Sequence, residues 1–151
     1  MGSVFAPAHV IPDAALVMVV FLGMRMAPVP LCLTALTLGY VVGRQALAPG
    51  GLHETALTVC AIGVYQMSGS FTGGGAKNIG GLTAIYSEVY QCHLYLLIYF
   101  VRGDALFSSW ATASLLPGAV ATGLLAASSY HLFCWIDVAL SSKKREGLLW
   151  D

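Results

Sequence analysis

Four apolar segments, each near the length that crosses a bilayer, fill most of this chain. They are 29–47 (VPLCLTALTLGYVVGRQAL), 54–71 (ETALTVCAIGVYQMSGSF), 79–101 (IGGLTAIYSEVYQCHLYLLIYFV) and about 112–140 (TASLLPGAVATGLLAASSYHLFCWIDVAL). A spanning helix needs about 20 mostly apolar residues. Within lipid, only a helix or a closed barrel satisfies every backbone N–H and C=O. Charged residues make up 9% of the 151, against roughly 25% in soluble domains. That is too little charge to cover a water-facing surface, so the sequence predicts an integral membrane protein of the plasma membrane or an organelle inner membrane. The expected fold is all-α: a single membrane domain over 1–151, with four main transmembrane helices in a bundle.

A shorter apolar run, 13–26 (DAALVMVVFLGMRM), precedes them, with Asp13 after Pro12 as its expected N-cap. Fourteen residues at about 1.5 Å each reach only about 21 Å, short of a hydrocarbon core of about 30 Å. An interfacial or re-entrant helix is therefore expected there, ended by Arg25 and the Pro28-Val29-Pro30 group. Glycine-rich punctuation at 48–51 and 72–78 separates the spans, and Pro117-Gly118 marks a start or kink in the last one. Residues 141–151 form a tail with the basic cluster Lys143, Lys144 and Arg145. The N-terminus has no Lys/Arg-rich region ahead of an apolar run, so no secretory signal peptide is expected.

Several function classes fall away. Net charge is zero and no basic stripe suggests nucleic acid. Cys32, Cys60, Cys92 and Cys134 stand singly in apolar segments, which suits buried packing and not zinc. No Ser/His/Asp or Cys/His arrangement stands out, so no enzyme, catalytic residue, metal or cofactor is expected. The loop TGGGAKNIGG lacks the order of a phosphate-binding loop; with Lys77, and with Asn78 as expected N-cap of the third span, it could still admit a small anion.

The third span carries the most informative polar residues. At helical spacing, Ala84, Glu88, Gln91 and Tyr95 share one face, and Tyr86, Tyr90 and His93 share another. A carboxylate at mid-depth is disfavoured by about 2.5–3.5 kcal/mol on insertion scales, so Glu88 must face protein or water and is a functional candidate. Small residues at Gly80, Gly81 and Ala84, and at Gly118, Gly123, Ala126 and Ala127, suit close helix packing, within or between subunits. A further reading pairs His93 with His131 as ligands of a b-type haem, making the chain a membrane anchor.

The segment APVPLCLTA, 27–35, resembles the signature N-P-(A/V)-P-(L/F)-G-L-x-(G/S/A)-F of the acetate uptake transporter family, the microbial acetate/succinate permeases. Pro28, Val29, Pro30, Leu31, Leu33 and Ala35 match; Ala27, Cys32 and Leu36 replace Asn, Gly and Phe. Gln66 and Asn78, then Gly81, Thr83, Ala84 and Ser87, follow the family's second stretch, and 117–130 is similar to its last span. The resemblance implies a divergent, shortened member of an oligomeric family whose protomers each carry a solute path. That path would use Leu36, Gln66, Lys77, Asn78, Thr83, Ser87 and Glu88, with Leu36 and Glu88 where the family places constriction aromatics. The function expected is a channel or transporter for a small monocarboxylate such as acetate, possible proton linkage included. The alternative is a non-catalytic accessory subunit of a respiratory or photosynthetic membrane complex. Expected partners are the bilayer, further copies or other membrane subunits, and a small carboxylate.

The positive-inside rule places the basic tail on the cytoplasmic or matrix side. A tag after Asp151 should react with an impermeant probe from that side; reaction from the opposite side alone contradicts the orientation.

Overall fold

The computed structural model describes residues 13–46, 49–69, 75–102 and 109–146, with side chains over 13–46, 49–69, 75–101 and 115–139. Residues 70–74, most of the glycine-rich loop, and 147–151 of the tail lie outside the described residues. The described residues form five helices and no strand: α1 (Ala14–Gly23), α2 (Pro28–Gln45), α3 (Leu52–Ser68), α4 (Ala76–Arg102) and α5 (Ser109–Glu146).

Of the two placements expected for the short helix, its surroundings exclude the interfacial one. α1 packs against all four other helices. Seven of its ten residues are buried, Leu16, Val19 and Val20 completely. An interfacial helix needs a polar face to lie along headgroups. AALVMVVFLG has none, and a helix that is apolar all round belongs inside a protein. The interfacial placement is therefore replaced by a central one. At its start the Asp13 carboxylate accepts from the Leu16 N–H at 3.0 Å, as expected of the N-cap. At its end the N–H groups of Arg25 and Met26 both reach the Leu22 carbonyl, closing the helix before the prolines. Pro28 and Pro30 then open α2, where a missing N–H leaves no bond unmade.

Two antiparallel hairpins, α2–α3 and α4–α5, surround α1 and meet through α3 and α4. Both are closed by small residues. On α2 the buried positions recur every fourth residue: Leu31, Ala35, Gly39 and Gly43. A Cβ on Gly39 would sit 2.5 Å from the Glu54 Cα, so the two backbones touch there. On the other hairpin, a Cβ on Gly80 would sit 2.9 Å from the Gly123 carbonyl oxygen and 3.0 Å from the Ala127 Cβ. A Cβ on Gly123 would meet the Gly80 oxygen at 2.8 Å and the Ala84 Cβ at 3.0 Å. Gly80 with Ala84, and Gly123 with Ala127, are small residues four apart on each helix, the spacing that lets helix backbones approach. Of the small residues read from the sequence, Gly80, Ala84, Gly123 and Ala127 are thus used within the chain, and Gly81 faces open space.

α1 runs parallel to α5. Its first N–H, at Asp13, donates to the Thr122 hydroxyl at 3.2 Å. Near its end Phe21 stacks on Phe133 with ring centroids 4.8 Å apart, and the Arg25 guanidinium, lying over Phe21, pairs with Asp137. Asp137 thus pairs with Arg25, across 112 residues of sequence. α5 continues without interruption through Pro117 and into the basic cluster, ending at Glu146. α4 begins at Ala76, with the Gly75 carbonyl accepting from Asn78 and Ile79. Asn78 is therefore inside the first turn and is not the N-cap.

Among the described residues one helix is long and apolar enough to cross a membrane, α5 over Leu115–Ala139. α3 has 17 residues and reaches about 26 Å. α4 is longer but interrupted by Glu88, Gln91, His93 and its tyrosines.

Gly80→Ala and Gly81→Ala gain the same helix propensity but differ in space, since nothing lies within 4 Å of a Cβ on Gly81. Gly80→Ala should lose about 1–3 kcal/mol relative to Gly81→Ala, as overpacking does. Thermal or denaturant unfolding in detergent checks this; equal stability would mean the α4–α5 contact is looser than described.

Candidate functional site

α4 carries the two faces its sequence suggests. Tyr86 and Tyr90 turn toward α3: the Tyr86 hydroxyl donates to the Met67 sulfur at 3.2 Å, and the Tyr90 hydroxyl lies 2.6 Å from His53 Nδ1. Thr83 and Ser87 are buried on the same helix, and the Thr83 hydroxyl donates to the Ile79 carbonyl at 2.7 Å. The opposite side faces α5. Ala84 meets Gly123 there, and the Gln91 side chain lies against Gly118.

Glu88 falls between Ala84 and Gln91 on that α5-facing side, one helical turn from each. Its Oε1 is buried and has no hydrogen-bond partner. Leaving a buried polar atom unsatisfied costs about 1–3 kcal/mol, more when it is charged. A side chain kept at that cost has a use elsewhere or meets something beyond this chain. Thr122, on the facing part of α5, is already engaged: it donates to the Gly118 carbonyl at 2.8 Å and accepts from Asp13.

The residues expected to share one path do not converge within a single chain. Thr83, Ser87 and Glu88 lie together on the middle of α4. Lys77 and Asn78 are exposed at its start, about 15 Å before Glu88 along the axis. Leu36, 42% exposed on α2, and Gln66, exposed near the end of α3, turn away from the helices that pack on them. An apolar groove of about 230 Å³ between α1 and α5 is lined by Met18, Phe21, Leu22, Phe133, Ile136 and Asp137. It lies more than three turns along α5 from the level of Glu88, so it does not extend the polar face.

His93 and His131 are also kept apart. Gln91 is level with Gly118 in the antiparallel α4–α5 pair, so His131 lies about 22 Å along the axis from His93. The two cannot ligate one haem iron within a chain. Among the described residues no group of three His, Cys, Asp or Glu side chains could hold a metal ion.

Two residues absent from the sequence-derived path belong to the polar interior. Asp13, half-buried, caps α1 and donates its N–H to Thr122 of α5. His53 reaches Tyr90 from the first turn of α3. Asp13 was legible as a cap; its bond to Thr122, 109 residues away, was not. His53 had no comparable local signal, because its partner is 37 residues away.

Comparison of the chain with protein-family models, curated proteins and solved structures finds no match.

If Glu88 is held at the expense of stability, Glu88→Met should raise stability by about 1 kcal/mol or more, since an apolar side chain of similar length removes the orphaned oxygen. Unfolding in detergent measures it. A loss of stability would mean that the carboxylate is satisfied in the native assembly.

Proposed function

We propose that this chain is an integral membrane protein in which α2, α3, α4 and α5 span the bilayer around α1. We propose further that its oligomer is a channel or transporter for a small monocarboxylate such as acetate, linked to protons through Glu88. The observation that carries the proposal is the buried, unpartnered Oε1 of Glu88 in the α4–α5 interface.

The membrane reading is supported by α5. Leu116, Val120, Leu124, Leu132, Trp135 and Val138 are each more than half exposed along one side of it. Scattered exposed apolar residues are ordinary, but a side that is apolar apart from Ser128 and His131 marks lipid or a partner. Leu116 to Val138 covers about 33 Å, close to the thickness of a hydrocarbon core of about 30 Å. The helix that bears the stripe is the one that meets the length and composition of a membrane span. The solute reading rests on the resemblance of 27–36 and 66–87 to the acetate transporter family, with Thr83 and Ser87 buried beside Glu88.

A second reading, a non-catalytic accessory subunit of a larger membrane complex, is favoured by the outward positions of Leu36 and Gln66. Exposed Val29, Leu33, Tyr40 and Val41 on α2, with Val59, Ile62 and Met67 on α3, leave broad apolar faces for a partner. The native assembly in mild detergent separates the two: copies of this chain alone support the transporter, and a fixed set of unrelated subunits supports the accessory role.

In proteoliposomes the wild type should take up acetate faster at acidic than at neutral pH. Glu88→Gln should keep the fold and lose that pH dependence. Lys77→Ala should slow anion entry several-fold and leave the pH profile alone. Uptake equal to that of protein-free vesicles would overturn the transporter reading; an unchanged pH profile in Glu88→Gln would overturn the proton role.

A further inference from the structure

The apolar groove between α1 and α5 ends in a pair of opposite charges. Its floor is the stack of Phe21 on Phe133. Met18 and Ile136, 39% and 38% exposed, stand at its rim, so the groove opens on the outside of the bundle. At one end Arg25 Nη1 pairs with Asp137 Oδ2, and Arg25 Nη2 donates to the Cys134 sulfur at 3.4 Å. The guanidinium lies 4.5 Å from the centre of the Phe21 ring. The Arg25 and Asp137 side chains nonetheless stay 34% and 50% exposed. An apolar channel closed by an adjacent cation and anion matches a molecule with an apolar chain and a zwitterionic head.

We propose that this groove binds one acyl chain of a phospholipid whose head carries a primary ammonium, with the phosphate on Arg25 and the ammonium on Asp137. Arginine presents five N–H donors in a planar fork, and the contacts to Asp137 and Cys134 leave donors for phosphate oxygens, which guanidinium groups bind well. On Asp137, Oδ2 takes the guanidinium and Oδ1 can accept from an ammonium N–H. A quaternary choline head has no N–H to give, and a head with a phosphate alone leaves Asp137 without its cation. An ion pair this exposed contributes little by itself, so lending both groups to a headgroup costs little.

This inference rests on the membrane reading proposed above and not on the identity of the solute. In that reading depth and size both suit a lipid. Among the described residues the large exposed apolar side chains of α5 run to Val138, one residue beyond Asp137. The ion pair therefore stands where hydrocarbon gives way to headgroups. From there the groove runs inward: Phe133 lies one turn before Asp137 on α5, and Met18 lies one turn before Leu22 on the parallel α1. Each turn takes an occupant about 5.4 Å deeper. At about 230 Å³ the groove is smaller than the roughly 300–1,000 Å³ of pockets for drug-sized ligands, which suits a single flexible chain.

The test uses the full chain in mild detergent, offered equal amounts of phosphatidylethanolamine, phosphatidylcholine and phosphatidylglycerol with identical acyl chains. Native mass spectrometry counts the lipid retained. The wild type should retain phosphatidylethanolamine several-fold more than either of the others. Asp137→Asn should bring phosphatidylethanolamine down to the level of phosphatidylcholine. Met18→Trp, at the rim of the groove and clear of the ion pair, should fill the groove and lower phosphatidylethanolamine retention several-fold. Equal retention of the three lipids by the wild type, or a preference for phosphatidylglycerol, overturns the site. So does wild-type retention in folded Met18→Trp, or an unchanged preference in folded Asp137→Asn. If Asp137→Asn fails to fold, the wild-type preference and Met18→Trp decide. Flotation with liposomes is scored separately: a protein that floats without the lipid preference keeps the membrane reading and loses the site, and a protein that does not float loses both.

Discussion

The arrangement depends on burying a ten-residue helix that has no polar face. α1 cannot lie at a water boundary, because every side of it is apolar. It is also short, about 15 Å from end to end. Its end groups must therefore be satisfied inside the protein, since a helix leaves four N–H and four C=O groups without intrahelical partners. Asp13 supplies an acceptor at the start, Thr122 takes the Asp13 N–H, and the backbone of Arg25 and Met26 folds back on Leu22 at the end. The two hairpins stand where they do because α1 has to be enclosed.

Enclosing so thin an element requires the outer helices to come close, and glycine makes that possible. Gly39 against Glu54 closes one hairpin, and Gly80 against Gly123 closes the other. Gly23 at the end of α1 lies against Val64 of α3, where a Cβ would meet Cγ1 at 2.7 Å. Close packing at these points turns Thr83, Tyr86, Ser87 and Tyr90 of α4 toward neighbours. Tyr86 and Tyr90 find partners on α3, whereas Glu88, facing α5 between two small contacts, has one oxygen left over.

Much of this was readable from the residues. The five helices follow apolar runs bounded by glycine and proline, and Asp13 is a cap because a short carboxylate after Pro12 precedes an unbroken apolar run. The two faces of α4 follow from its 3.6-residue period. What could not be read rests on partners far apart in sequence. Asp13 and Thr122 are 109 residues apart, and Arg25 and Asp137 are 112 apart. No local pattern in either member of such a pair names the other. The path residues are a different case: Leu36 and Gln66 were assigned by resemblance to a family in which each protomer encloses its path, and in this chain both face outward. The central place of α1 lay between these cases, since the missing polar face was visible but had to be weighed against length.

Spin-label accessibility measures at once whether α1 is enclosed and whether the outer side of α5 meets lipid, as proposed. Single nitroxides at Leu116, Val120 and Leu124 on α5, and at Val17 and Val20 on α1, are compared in liposomes using oxygen, which concentrates in lipid, and a water-soluble nickel complex. The account predicts that the α5 sites collide with oxygen and not with nickel, and that the α1 sites collide with neither. Nickel accessibility along α5, or strong oxygen accessibility along α1, would contradict it.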